Sequence, residues 1–124
     1  MIPFFPADAK EVTILVVGAK YKAVYELYAH TNIATKKVGM SKDVVEAIAR
    51  GEKPEGLNEQ CDVAYDTAHY LVTTPGPLPQ ELWDKCINAF GKEATVGLVH
   101  YVGAYAYTCI ILNAMDAPVP KENE

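Results

Sequence analysis

Glu11-Val-Thr-Ile-Leu-Val-Val-Gly-Ala-Lys-Tyr-Lys-Ala-Val-Tyr-Glu26-Leu-Tyr-Ala-His30 is the stretch on which the fold turns. Residues 12–17 are an apolar run rich in β-branched side chains, which suits a strand by propensity. Periodicity does not separate so short a run from a buried helix. Nothing around it supplies a pairing strand, so it is read as helix. Glu26 and His30 are four residues apart and share one face of a following helix. Glu11 lies nineteen residues before His30, a separation that is compatible with contact and does not require it. Ionisable side chains on apolar segments are costly unless paired, so function is sought first at these three residues.

Working outward, Asp8 is placed to N-cap a helix that starts near Ala9 and carries Glu11 in its first turn, where an acid suits the helix dipole. Gly18 loosens the chain, and a second helix is predicted over 20–38, with Gly39 as its C′ residue. One stripe of it is Val24, Leu27, Tyr28 and Thr31. The other, Ala23, Glu26, His30 and Ala34, is small and polar and would leave room for a ligand. Ser41 caps a short helix over 42–50, closed by Gly51. Asn58 caps a fourth running to about Thr73, and Pro75-Gly76-Pro77 stops it. Pro79 opens a fifth helix with Leu82, Trp83, Cys86, Ile87 and Phe90 on one face, ending at Gly91. The last helix, 94–115, is apolar nearly all round. It is expected to be buried on every side, which in 124 residues implies burial by another subunit. The sum is an all-α fold: a compact bundle of about six helices in one domain over 1–124, with an extended entry at 1–7 and a frayed tail at 118–124.

Composition narrows the partners. Half the residues are hydrophobic and 22% are charged, as in a soluble globular domain. The net charge of -5, with no block of Lys or Arg, speaks against nucleic acid and acidic membranes. Cys61, Cys86 and Cys109 are far apart and form no CxxC, which suggests reduced thiols and a cytoplasmic location. The N-terminus lacks the basic n-region of a signal peptide. The apolar run 96–112 is shorter than the ~20 residues of a membrane span and holds His100, Tyr101, Tyr105, Tyr107 and Thr108. No HxxH, HExxH or close Cys/His cluster occurs, so no metal is expected, and no cofactor. Phosphate loops, nucleotide fingerprints and nucleophile elbows are likewise absent from the sequence.

Glu26 and His30 form a candidate acid–base pair, since a nearby carboxylate favours imidazolium and fixes the ring. With Glu11 beside them, one imidazole between two carboxylates can carry a proton between solvent and a bound substrate. The plain alternative is an i,i+4 pair on a solvated helix face. His69 and His100 read as satisfied core or interface histidines, with His100 the better second candidate because a buried imidazole needs a partner. Tyr21, Tyr25 and Tyr28 crowd one helix, and Tyr101, Tyr105 and Tyr107 the last. Such rings suit a flat aromatic or polyketide-like small molecule, and suit packing between subunits equally well. Tyr25, His100 and Tyr105 are the candidate substrate-binding residues; His30, Glu26 and Glu11 are the candidate catalytic ones.

Several ordered segments resemble the carboxymuconolactone decarboxylase-like family of the alkylhydroperoxidase AhpD-like superfamily. They are Lys10-Glu11-Val-Thr-Ile-Leu-Val-Val-Gly-Ala, Tyr25-Glu26-Leu-Tyr-Ala-His30, Val38-Gly39-Met40-Ser41, Leu82-Trp83, Phe90-Gly91, Leu98 through Gly103-Ala-Tyr105, and Leu112-Asn113-Ala114. The resemblance spans about residues 8–117. It implies an all-helical fold working as a homo-oligomer, commonly a trimer or hexamer. In the peroxidase branch a Cys-x-x-Cys-x-x-x-His segment follows a relay glutamate. With the histidine on His30, Ala23 and Glu26 stand where the two cysteines would be, and the relay glutamate falls on Glu11. Without a thiolate there is no nucleophile for a peroxide oxygen. The Glu11–Glu26–His30 set suits proton transfer, and the resemblance then implies a cofactor-independent lyase, a decarboxylase. The chain is shorter than many relatives, which carry further N-terminal helices. Two other readings stay open: a non-catalytic oligomeric ligand-binding protein of this fold, and a residual thiol peroxidase using Cys61, Cys86 or Cys109.

Overall fold

In the computed structural model, which describes residues 5–121, the segment 11–18 is buried throughout. It forms the middle of α1 (Ala7–Tyr21), which packs against four other helices. They are α2 (Val24–Asn32), α3 (Lys42–Ala49), α4 (Glu59–Thr73) and α6 (Lys92–Ala114), with α5 (Gln80–Phe90) against α4 and α6. A π-helical turn, Ile33–Lys37, continues α2. The described residues contain no strand. Burial on all sides explains why a β-branched run is helical: every side chain meets a neighbouring helix, and packing overrides propensity. Thr13 fits this interior because its hydroxyl donates to the Ala9 carbonyl at 2.8 Å.

The first helical break lies later than the sequence suggests. Gly18 is inside α1, close to Leu27 of α2; a Cβ on Gly18 would stand 3.0 Å from Leu27 Cδ2. The chain turns instead at Lys22, in the left-handed region with φ 52°. Lys22 N–H bonds the Ala19 carbonyl and Ala23 N–H the Gly18 carbonyl, the paired bonds of a Schellman ending. The expected single helix over 20–38 is therefore the end of α1, then α2, then the π turn, whose Val38 N–H reaches back five residues to Ile33 O. Gly39, φ 81°, closes it as expected.

Asp8 is not the N-cap of α1. Pro6 occupies that position, and Asp8 sits in the first turn. Its carboxylate accepts from the Ala9 N–H at 2.8 Å and from Asn58 Nδ2 at 3.0 Å. Asn58 caps α4 as the sequence indicates, its Oδ1 accepting from Cys61 N–H at 2.8 Å, so one amide side chain ties the starts of α1 and α4 together. Ser41 holds the N-cap position of α3, but its hydroxyl makes no capping bond. Phe5 stacks on Phe90 and meets the edge of Tyr101, pinning the entry to α5 and α6. Residues 1–4 of the expected extended entry and 122–124 of the expected frayed tail lie outside the described residues; 118–121 have no regular structure.

α6 is the element expected to be covered on one side by another subunit; within one chain it is buried on one face, through Thr95, Gly97, Leu98, Val102 and Cys109. The helix buried all round is α1, which occupies the centre. Val96, His100, Gly103, Tyr107, Ile110 and Ala114 are exposed at alternating spacings of four and three residues. That is the spacing of a helix–helix seam. α6 has 23 residues and is long and apolar enough to cross a membrane, a test that core helices of soluble proteins also pass.

Candidate active site

The turn at Lys22 and Ala23 folds α2 back on α1, so Glu11 meets a side chain nineteen residues ahead in sequence. His30 Nδ1 lies 2.7 Å from Glu11 Oε1, the length of a charge-assisted hydrogen bond. An ionised carboxylate only accepts, so Nδ1 carries the hydrogen and donates it. On the other side of the ring, His30 Nε2 is 3.8 Å from Glu26 Oε1, close enough for charge attraction and too far for a hydrogen bond. Both carboxylates are buried, and the His30 side chain is 13% exposed, the most open of the three. Neither glutamate is paired with a lysine or arginine among the described residues.

Glu26 carries the unusual feature. Its Oε2 is buried without a hydrogen-bond partner, alone in this among buried side-chain nitrogens and oxygens of the described residues. Tyr105 of α6 completes the cluster, its ring nearly perpendicular to the His30 ring with centroids 5.6 Å apart. Burial, and then the charges of Glu26 and Glu11, push the Tyr105 phenol above its usual range, so it stays a proton donor. Cys109, one turn further along α6, was not read as part of this region. Burial, then the Glu26 charge, raises its thiol to about 11. The spacing of four residues from Tyr105 on a helix is the sequence signal that could have found it.

The two other substrate-binding candidates do not join the cluster. His100 is exposed on α6. Five residues along a helix set it about 140° around the axis from Tyr105, on the exposed side of α6. Tyr25 is 37% exposed and packs on Tyr28. It lines a surface cleft of about 210 Å³ with Lys22, Leu112 and Asn113. A second cleft, of about 160 Å³, lies among α1, α3 and α4, with Lys20, Ile48, Tyr65 and His69 on its walls. His69 is exposed and stacked on Tyr65 rather than in the core. Neither cleft is lined by Glu11, Glu26 or His30. The small stripe Ala23, Glu26 and Ala34, read as leaving space, is buried.

The thiols are poor nucleophiles. All three cysteines are buried and unpaired. Burial, then the Asp8 charge, pushes Cys61 up to about 12, and burial raises Cys86 despite its contact with the Thr67 hydroxyl. Thiolate is scarce at neutral pH under these conditions. Among the described residues no group of three or more His, Cys, Asp or Glu is placed to hold a metal, the Glu11–His30–Glu26 set included. What this set can do chemically is hold an imidazole in one orientation between two carboxylates. Compared with known proteins, the chain matches no family model, no curated protein and no solved structure.

Proposed function

We propose that the protein is a cofactor-independent lyase that decarboxylates an oxidised aromatic or polyketide-derived acid or lactone, with His30, Glu26 and Glu11 as its proton-transfer site. The observation that carries this is the 2.7 Å bond from His30 Nδ1 to Glu11, with Glu26 near the opposite nitrogen. Loss of CO₂ needs an electron sink in the substrate and a proton for the carbon left behind. Imidazolium is a competent donor of that proton from Nε2, and Glu11 fixes the ring and stabilises its charge. Glu26 orients the ring's other side and serves as a second proton carrier. Two carboxylates unpaired with lysine or arginine also disfavour a substrate carboxylate more than neutral CO₂. Tyr105 forms an aromatic wall.

The same proposal includes membership of the carboxymuconolactone decarboxylase-like family. Its support is the helical fold, the resembling segments, and the meeting of Glu11 with His30, which that family's relay implies. It includes a homo-oligomer, trimer or hexamer, formed through the exposed face of α6, where Tyr107 is 69% and Ile110 53% exposed. A cytoplasmic location goes with three unpaired cysteines.

The test is CO₂ release from a panel of aromatic-derived lactone acids and hydroxylated aryl carboxylic acids, by wild type and His30→Ala. Release by the wild type alone is the expected result. Equal release by both would move the chemistry away from His30, and no release across the panel would favour the ligand-binding protein.

A further inference from the structure

The outer side of α6 carries no Asp, Glu, Lys or Arg from residue 94 to residue 115. Val96, His100, Gly103, Tyr107, Ile110 and Ala114 follow one another along it, all exposed. Gly103 is the telling residue. A glycine inside a helix costs stability relative to alanine. Nothing within the chain asks for one here, since a Cβ on Gly103 would meet no atom within 4 Å. Ala104 beside it is also small and exposed. One turn further on stands Tyr107, 69% exposed and the largest side chain of the face. A notch and a knob therefore lie four residues apart, and neither serves the packing of its own chain.

We propose that a second copy of this chain covers the face, with the two α6 helices antiparallel about a two-fold axis and each copy's Tyr107 seated on the other's Gly103. A two-fold contact requires that if residue i meets j, then j meets i. The spacing meets this condition along the whole face. With Gly103 opposite Tyr107, His100 falls opposite Ile110 and Val96 opposite Ala114, because all three pairs are centred on the same point of the helix. A parallel pair would instead set Tyr107 against Tyr107 and notch against notch. Antiparallel helices also bring opposite dipole ends together. A helix of 23 residues is about 35 Å long. Two such faces bury on the order of 1,200 Å² together, the lower end of what a stable pair needs. Lipid fits less well. Helices that lie on membranes carry Lys or Arg along their polar side, whereas α6 has only Lys92, at its start. The pairing rests on the assembly through α6 proposed above and gives its geometry: a two-fold contact belongs to a hexamer built from pairs, and not to a trimer.

Sedimentation equilibrium and crosslinking separate the geometry from the assembly. Wild type is expected to sediment as a dimer or an even-numbered multiple of the chain. Val96→Cys and Ala114→Cys are prepared singly, and a short bismaleimide is applied to each alone and to their equilibrated mixture. Wild type, whose three cysteines are buried, is the blank. In the antiparallel pair the two copies of residue 96 stand about 27 Å apart, so the mixture should crosslink and neither variant should do so alone. Gly103→Leu fills the notch and should weaken association by about tenfold or more, with no fall in the melting temperature of dilute protein. A trimer, either variant crosslinking with itself, an oligomer in which no combination crosslinks, or unchanged association of Gly103→Leu would each overturn the antiparallel pairing while leaving an assembly in place. A wild-type monomer at sub-millimolar concentration would overturn the pairing and the assembly together, and flotation of that monomer with phosphatidylcholine vesicles would make lipid the occupant.

Discussion

An imidazole that donates Nδ1–H to a carboxylate at 2.7 Å is held in one tautomer and one orientation, and that is the chemical content of the site. Glu11→Gln keeps an acceptor for Nδ1 but removes the charge that supports imidazolium. Turnover should fall by about tenfold or more while the circular dichroism melt stays close to wild type; unchanged turnover would remove Glu11 from the relay. Asp8 gives a test by pH. Burial pushes its carboxyl up, but the Asn58 side chain and the Ala9 N–H outweigh this and hold it below 3.8. A depressed folded value contributes stability that is present above about pH 4 and lost as pH falls through the folded pKa. The stability difference between wild type and Asp8→Asn in urea should therefore be larger at pH 7 than at pH 3; a constant difference would contradict the assignment. The identities of Glu11, Glu26 and His30 were legible in the sequence because ionisable groups stand out on apolar segments. The bare Oε2 of Glu26 was not, because which carboxylate oxygen is left without a donor depends on packing from three helices.

At the level of elements, the sequence marked helix ends well where a side chain or glycine makes the cap. Asn58, Gly39 and Gly91 are such cases. It misplaced the turn between α1 and α2, which has neither. The α1–α2 turn uses Lys22 in a left-handed conformation, whereas the glycine nearby serves close packing against Leu27. A lysine in that region is strained relative to glycine. Lys22→Gly is expected to raise stability by about 0.5–1 kcal/mol in urea denaturation; a loss would mean that the Lys22 side chain contributes more than its backbone strain. The π turn after α2 was also invisible, since it differs from an α-helix by one residue in the hydrogen-bond register and carries no residue signature.

For the whole molecule, the helical class followed from periodicity, caps and short connections. The burial order did not: α1 is central and α6 lies at the surface, although both read as apolar. A helix rich in apolar residues is recorded in sequence, but what covers it is not. Tyr107→Glu places a charge in the exposed α6 seam and is expected to turn an oligomer into a monomer in sedimentation equilibrium; a wild-type monomer would contradict the proposed assembly. The central claim, that His30 delivers a proton to carbon as CO₂ leaves, is tested most directly by turnover in D₂O. Mass spectrometry of the wild-type product should show one deuterium on the carbon that lost the carboxylate, with formation slowed by about 10²-fold or more in His30→Gln. Product formed at the same rate by His30→Gln would contradict it.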